Sequence, residues 1–387
     1  MERGARAKRH ACGVQTAWTS AEVPDVAVAE IARAIDTSDL GQLLVFFSQR
    51  YDPEALNAAF AEHLPRIPVA GCSTSGEITP DGYSDGSLLA VAFPGTGFRF
   101  VSGVIPQVRG LTVERGTDAV RALRARLDRL EEGPYANRFA VSLIDGLSKC
   151  EEVIVSAIAW ALDGIPLVGG SAGDDLALSA TSLIHDGKVH HDAALLLLIE
   201  TNHPIHSFKH DHFEPTATKL VVTASDAESR TVFELNAEPA ALEYASAVGV
   251  EPSSLAPMSF AAHPVIVRIG GDYYCRSIQR VNADGSLSFF CAIDDGVVLT
   301  VAEPRDMVES MASELARVDE KIGGIDLILG FECVLRRLDA ENRQIKHKIS
   351  DLYRRYHVAG FHTYGEQYNA MHLNQTFTGV AIGRGEI

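Results

Sequence analysis

Four of the chain's fourteen histidines fall within ten positions: His203, His206, His210 and His212. If Ile205 to Phe213 runs as a strand, His206, Phe208, His210 and His212 share one face. Imidazoles beside aromatic rings on one face could ligate a metal or a haem iron. A solvated polar strand face is the plainer reading of the same residues. His190-His191, beside Gly187, reads as a hairpin. His362 and His372 flank a glycine-containing turn near the C-terminus, where His362 is placed either to face a crevice or to sit alone in a core. Arg336-Arg337 follows a strand that ends near Cys333. Such a pair could grip a carboxylate or a haem propionate through bidentate contacts, or pair on the surface with Asp339 or Glu341.

Two nucleophiles also invite a test. Gly169-Gly-Ser171-Ala-Gly173 matches the G-x-S-x-G elbow of hydrolases. That elbow must lie between a strand and a helix, yet Asp174-Asp175-Leu176 leads towards another apparent strand, Thr181 to His185. A tight strand-end turn, where glycine permits close backbone approach, explains the same residues. Cys72 sits in a similar turn, but no His–Asp constellation can be read around either residue. The six cysteines are scattered without a C-x-x-C pair, so neither a zinc ribbon nor a disulfide framework is expected. P-loop, G-x-G-x-x-G, H-E-x-x-H and EF-hand patterns are missing from the sequence.

The elements that would position these residues form a threefold repeat. Leu43 to Ser48 reads as a strand and Pro53 to Leu64 as a helix. Ile67 to Gly71 is a second strand running into Cys72-Ser-Thr-Ser-Gly-Glu77, and Ser87 to Phe93 closes the copy. The order recurs with Phe139 to Ile144, the helix Glu151 to Leu162, Ile165 to Gly169, Gly170-Ser-Ala-Gly-Asp-Asp175 and Ala193 to Ile199. It recurs again with Asp326 to Phe331, a helix from Asp339 to Tyr356, Val358 to Gly360, Phe361-His-Thr-Tyr-Gly-Glu366 and Phe377 to Gly383. Between the second and third copies lie further strands, a hairpin around Asp284-Gly285, and helices at Glu238 to Ala247 and from Pro304, placed in a first helical turn. These patterns predict an α/β protein of mixed sheets covered by helices, in two domains. A polar break at Ser225 to Arg230 sets the expected divisions: an N-terminal extension over 1–39, one domain over 40–225 and a second over 226–387.

Composition narrows the function. Lys plus Arg is 34 against 51 for Asp plus Glu, a net charge of −17. That balance opposes binding of a nucleic acid backbone, which needs cations to displace counterions. The longest uncharged apolar run, Ala193 to Ile199, is far too short for a membrane span. The basic N-terminus lacks the apolar region of a secretory signal, so a cytoplasmic protein is expected.

Several blocks resemble the FIST domain family. Gly71-Cys-Ser-Thr-Ser-Gly-Glu-Ile78, with Gly82-Tyr83 and the following strand, is similar to the start of the N-terminal FIST domain, and Val168 to Asp175 to its second block. Glu234 to Ala241, Gly360 to Gln367 and His372 to Thr376 are similar to the C-terminal FIST domain. Asp211 to Thr216, Arg276 to Ile278, Phe290 to Asp294 and Tyr364 to Gln367 resemble the haem-binding, nitric oxide sensing branch. The resemblance implies a sensory protein of bacterial signal transduction rather than an enzyme. The branch implies haem b as cofactor, nitric oxide as gas ligand and a histidine kinase partner acting in trans, with a link to biofilm control. It makes His212 the first choice for the iron ligand, flanked by Phe208 and Phe213, with His206, His362 and His372 as alternatives. Arg336, Tyr364 and Glu366 complete the expected pocket. The same fold could instead bind an amino acid or similar metabolite, with Arg336 and Glu366 reading its charges. With sensor modules filling Leu40 to Gly383, no room is expected for a kinase or cyclase in this chain. A homo-oligomer stays open, because no residue pattern fixes the number of copies.

Overall fold

A computed structural model describes residues 4–130 and 133–385. It is a mixed α/β fold of four sheets flanked by helices. Three of the sheets are built on the repeat. In each copy, two strands joined by helix pair in parallel, and a third returns antiparallel on the other side of the first. The first copy uses Leu40–Ser48, the helix Pro53–His63, Val69–Thr74 and Leu88–Pro94. Its helix starts where Asp52 accepts the Ala55 N–H and Pro53 takes the first turn, so backbone donors that a helix start leaves unpaired are met or absent. The second copy uses Asn137–Ile144, the helix Glu151–Leu162, Leu167–Ser171 and Ala193–Thr201. The third uses Ile325–Cys333, the helices Val334–Asn342 and Lys346–Arg355, Val358–Thr363 and Phe377–Gly383. Sequence periodicity predicts one helix from Asp339 to Tyr356. The chain instead breaks between two helices, where Gln344 takes a left-handed backbone with φ 58°.

Each copy also contributes a two-stranded hairpin, and each hairpin is handed to a neighbour. Glu77–Thr79 and Gly82–Ser84 of the first copy extend the third copy's sheet along Val358–Thr363. Glu366–Tyr368 and Met371–Leu373 of the third extend the second copy's sheet along Leu167–Ser171. Leu183–His185 and Lys188–His190 of the second extend the first along Val69–Thr74. The exchange closes a ring, so no copy has a complete sheet without another. One apolar core fills the centre, drawing Phe46 from the first copy, Val141 and Leu195 from the second, and Phe331 and Phe361 from the third. The Phe46 and Phe361 ring centroids are 4.7 Å apart, and Phe331 meets Phe361 edge-on at 5.5 Å.

The repeated glycine has a steric cause. Gly71, Gly169 and Gly360 lie directly opposite Val45, Ser142 and Gly330 in the three parallel pairs. A Cβ at any of them would fall on the facing carbonyl oxygen, closer than the 3.0 Å that real Cβ atoms keep. Gly360→Ala is therefore expected to cost more than about 3 kcal/mol, as overpacking does where backbone cannot yield. Urea unfolding checks this, and a loss below about 1 kcal/mol would show that the strand pair can part.

The fourth sheet interrupts the third copy. The third copy's outer strand Ile205–His210 pairs with Phe377–Gly383, and the chain then enters the fourth sheet, of eight strands, before returning as the helix Met307–Ile322. The central strands of that sheet are Phe213–Asp226, Val298–Pro304 and Thr231–Leu235. Residues 225–230 are the end and turn of the hairpin between Phe213–Asp226 and Thr231–Leu235. Pro304 does not open a helix. It ends a strand opposite Phe213, and Asp306 caps the helix by accepting the Glu309 N–H.

Candidate functional site

The third copy's parallel strands end in a buried ionic network. Glu332 stands opposite His362 in register, and Arg336 follows one helical turn later. All three are fully buried. Arg336 Nε donates to Glu332 Oε1 at 3.2 Å, and its Nη1 donates to His212 Nδ1 at 2.7 Å. The proton of His212 is thus on Nε2, which faces Asp339 Oδ2 at 3.7 Å. Asp339 Oδ1 in turn accepts from Arg343 Nε at 2.8 Å. Tyr83, delivered by the first copy's exchanged hairpin, donates to Glu332 Oε2 at 2.6 Å and stands edge-on to His362, centroids 4.5 Å apart. Burial pushes the Glu332 carboxyl up, against the pull of Arg336. Burial lowers His212 to about 4 despite its contact with Asp339, and takes His362 well below its ordinary value. Both imidazoles are neutral at pH 7.

A second cluster lies on the returning hairpin, and comparing the copies shows what is special about it. In the first copy, Glu77 closes the hairpin. Its Oε2 accepts the N–H and hydroxyl of Ser87 at 2.8 and 2.7 Å, and its Oε1 accepts from Thr74 Oγ1 at 2.6 Å. In the third copy, Glu366 Oε2 accepts the N–H and hydroxyl of Thr376 at 3.0 and 2.7 Å in the same way. The matching threonine, Thr363, turns its hydroxyl to the Gly365 carbonyl instead, at 2.8 Å. Glu366 Oε1 is left without a partner among the described residues. Where the first copy has Gly86 in the left-handed region at φ 68°, the third has Gln375 at φ 56°. A side chain there costs about 1–2 kcal/mol of backbone strain, and it is buried. Gln375 Nε2 donates to the Ala261 carbonyl at 3.3 Å, which ties the helix Pro257–Ala262 to the hairpin.

The unmatched atoms have a chemical pattern. Glu366 Oε1, Asn374 Oδ1 and Gln375 Oε1 are acceptors, and Arg336 Nη2 is a donor; each is buried and unpaired among the described residues. Arg336 acts electrostatically on Glu366, and Cys333 N–H bonds the Thr376 carbonyl, so helix start and hairpin belong to one region. Beside it, His372 lies against Gly365. Burial lowers its pKa, while Glu152 and Glu151 of the second copy's helix pull the other way. Those two carboxylates clamp the buried Arg230 of the fourth sheet, whose Nη1 donates to the Phe290 carbonyl at 2.7 Å.

A family model described as the FIST N domain matches residues 42–238, and one described as the FIST C domain matches residues 240–369. The chain belongs to the FIST family. Its domains make it a sensor of signal transduction. Comparison with curated proteins finds no match.

The FIST fold gathers some of the sequence candidates and separates others. His212, His362 and Arg336 meet around Glu332; Tyr364, Glu366 and His372 lie on the adjoining hairpin. Tyr364 donates its hydroxyl proton to Asp174 of the second copy and accepts the Leu176 N–H at 2.8 Å, which ties two turns together. His206 stands half-buried on the outer strand, away from both clusters, and Phe208 packs on Phe377 at 5.3 Å in the core beneath the helices. The face expected to carry His206, Phe208, His210 and His212 ends early: the strand stops at His210, and His212 lies beyond it. Phe213 lies against His212 with ring centroids 4.1 Å apart and planes tilted by 38°, but belongs to the fourth sheet. Arg337, unlike Arg336, makes the expected surface-type pair with Glu341, and also reaches Asp85. Ser171 accepts from Gln367 Nε2 at 3.0 Å, and Cys72 is sealed in the central core. Glu332 is not singled out in the sequence, and Tyr83, Asn374 and Gln375 stand there only within family-like blocks, with no role of their own. The break of the repeat at Gln375, where the first copy has Gly86, is a signal in the sequence that marks Gln375 and its neighbour Asn374.

Haem does not fit at His212 as these residues stand. One ring nitrogen faces a guanidinium and the other a carboxylate, both buried, so iron ligation would have to displace an ionic contact rather than enter an apolar slot. No described helix is long and apolar enough to cross a membrane.

Proposed function

We propose that this sensor binds a small metabolite bearing an ammonium and a carboxylate, an amino acid or close relative, between the third copy and the fourth sheet. The observation that carries the reading is the buried set of three unpaired acceptors with one unpaired guanidinium nitrogen. Leaving such atoms unmade costs about 1–3 kcal/mol each. An ammonium supplies three donors to Glu366, Asn374 and Gln375, and a carboxylate suits Arg336. Gln375 holds the helix Pro257–Ala262, and His372 faces the Glu151–Glu152–Arg230 clamp. Ligand contacts that favour one arrangement of these links would shift the fourth sheet against the ring. The surface so altered would be read by a histidine kinase in trans.

The test is thermal unfolding of the protein with each common amino acid. One of them at about 100 times its Kd should stabilise the fold by about 2.7 kcal/mol. Burial raises the Glu366 carboxyl well above its ordinary value, so the reading requires the ammonium to ionise it on binding. Glu366→Gln keeps an oxygen for Thr376 but cannot ionise, so its response should vanish. No stabilising amino acid, or a response kept in Glu366→Gln, overturns the reading.

His362 and His372, buried with both ring nitrogens unbonded among the described residues, keep haem as a second reading. Bound haem would supply an iron that takes nitric oxide. Absorption spectra after haem addition separate the two. A Soret band that His362→Ala or His372→Ala removes would favour the haem sensor, and a protein that takes up no haem would leave the metabolite.

A further inference from the structure

At the opposite end of the third copy's first strand lies a cluster that neither reading uses. Asp326 is the second residue of Ile325–Cys333 and Glu332 the eighth, so the two ends stand about 20 Å apart at 3.3 Å per residue. His10, from the turn between Arg6–Arg9 and Gln15–Thr19, and His357, just before Val358–Thr363, converge on Asp326. One ligand atom from each of His10, Asp326 and His357 lies within 4.8 Å of the others. The two Nδ1 atoms face the same Asp326 carbonyl oxygen, at 2.9 and 2.8 Å.

We propose that His10, His357 and the Asp326 carboxylate form a binding site for a divalent transition-metal ion of the zinc(II) type. Two imidazoles and a carboxylate suit such an ion, whereas magnesium and calcium prefer all-oxygen cages. The surrounding shell is already in place. Asp326 Oδ2 accepts the Cys12 N–H at 2.7 Å, which orients the carboxylate. His10 Nε2 stands 3.2 Å from Thr16 Oγ1, the outer contact that metal-bound histidines usually make.

Proton accounting accommodates the metal, which would take the place of the two Nδ1–H bonds to the Asp326 carbonyl. Without it, both Nδ1 atoms must carry hydrogen to reach the shared carbonyl. His10 Nε2 must then take the Thr16 hydroxyl proton, and the Lys8 carbonyl, 3.4 Å from that hydroxyl, goes without it. With an ion at Nδ1, His10 Nε2–H donates to Thr16, and Thr16 donates on to Lys8. A cavity of about 330 Å³ lined by Cys12, Gly13, Asp36 and His203 lies on the side of Cys12, whose N–H the Asp326 carboxylate accepts. The ion would fasten the N-terminal strand pair to the third copy.

The test uses chelator-treated full-length protein titrated with zinc(II), and with cobalt(II) as a coloured probe. One equivalent of zinc is expected to bind and to raise the Tm, with cobalt giving visible absorption in the same stoichiometry. His357→Ala and Asp326→Asn should each weaken zinc binding by more than about 100-fold, beyond the loss typical of an outer contact. Asp326→Asn keeps an acceptor for Cys12, and His357 is only half-buried, so both variants should fold; circular dichroism checks this. His206→Ala, a half-buried histidine elsewhere, should bind like the parent. No stoichiometric zinc uptake by the parent, or uptake unchanged in both folded variants, overturns the proposal.

Discussion

Arg336→Met is expected to destabilise the protein by about 3–5 kcal/mol at pH 7, the usual cost of removing one partner from a buried ion pair. The guanidinium is fully buried between Glu332 and His212. Methionine fills much of its volume, so the loss is mainly electrostatic. It leaves Glu332 enclosed with the Tyr83 hydroxyl and His362, both uncharged at neutral pH. Burial already pushes the Glu332 carboxyl up, with Arg336 the largest force holding it down. In the variant, Glu332 should therefore take up a proton at higher pH, and the defect should shrink as the solution is acidified. Glu332→Gln placed on Arg336→Met removes the stranded charge and should recover at least about 2 kcal/mol. Urea unfolding of the parent, both single variants and the double variant gives the coupling directly. Additive losses would mean that the two side chains do not depend on one another.

How much of this was legible in the sequence varies with the reach of the interaction. The three copies could be read because strand, helix and glycine turn are local patterns. The glycine itself is informative, since Gly71, Gly169 and Gly360 each face a carbonyl across a parallel pair. The exchange of hairpins could not be read. The segment around Gly187 announces a hairpin, but the edge it joins is chosen by distant strands. The same limit hid the ionic network. Sequence offers Arg336 a carboxylate to grip or a surface pair with Asp339 or Glu341, yet its partners are Glu332 on the preceding strand and His212, some 124 residues away. The histidine stripe failed for a local reason: the chain leaves the strand after His210 to enter the fourth sheet, so alternation stops before His212. Gln375 is the instructive case. It breaks the repeat at a left-handed position where glycine would be free of strain, and it sits beside the unpaired acceptors.

Buried neutral imidazoles should make the protein sensitive to acid, and His212 carries a measurable share. Its pKa is about 4 in the folded chain, with burial the main cause, against an ordinary value of 6.5. Between those values the unfolded chain takes a proton that the folded chain refuses. Stability from this group is fully present above pH 6.5 and is lost as pH falls toward 4, by about 3 kcal/mol at 1.36 kcal/mol per unit. His210, lowered to about 2 by burial and then Arg336, acts in the same direction over a wider range. Glu77 opposes them. Burial raises it to about 7 in spite of its three hydrogen bonds, so the folded chain holds an extra proton between 4.5 and 7, and stability from Glu77 falls as pH rises through that window. The parent's curve alone mixes the two signs, and differences between proteins separate them. In His212→Gln the amide can still accept from Arg336 and donate to Asp339 but cannot titrate. The parent's stability relative to His212→Gln should therefore rise by about 3 kcal/mol from pH 4 to pH 6.5. Relative to Glu77→Gln, it should instead fall between pH 4.5 and 7. Urea unfolding at half-unit steps of pH measures both differences. A His212→Gln difference that stays flat with pH would mean that His212 is protonated in the fold, with Asp339 rather than burial governing its charge.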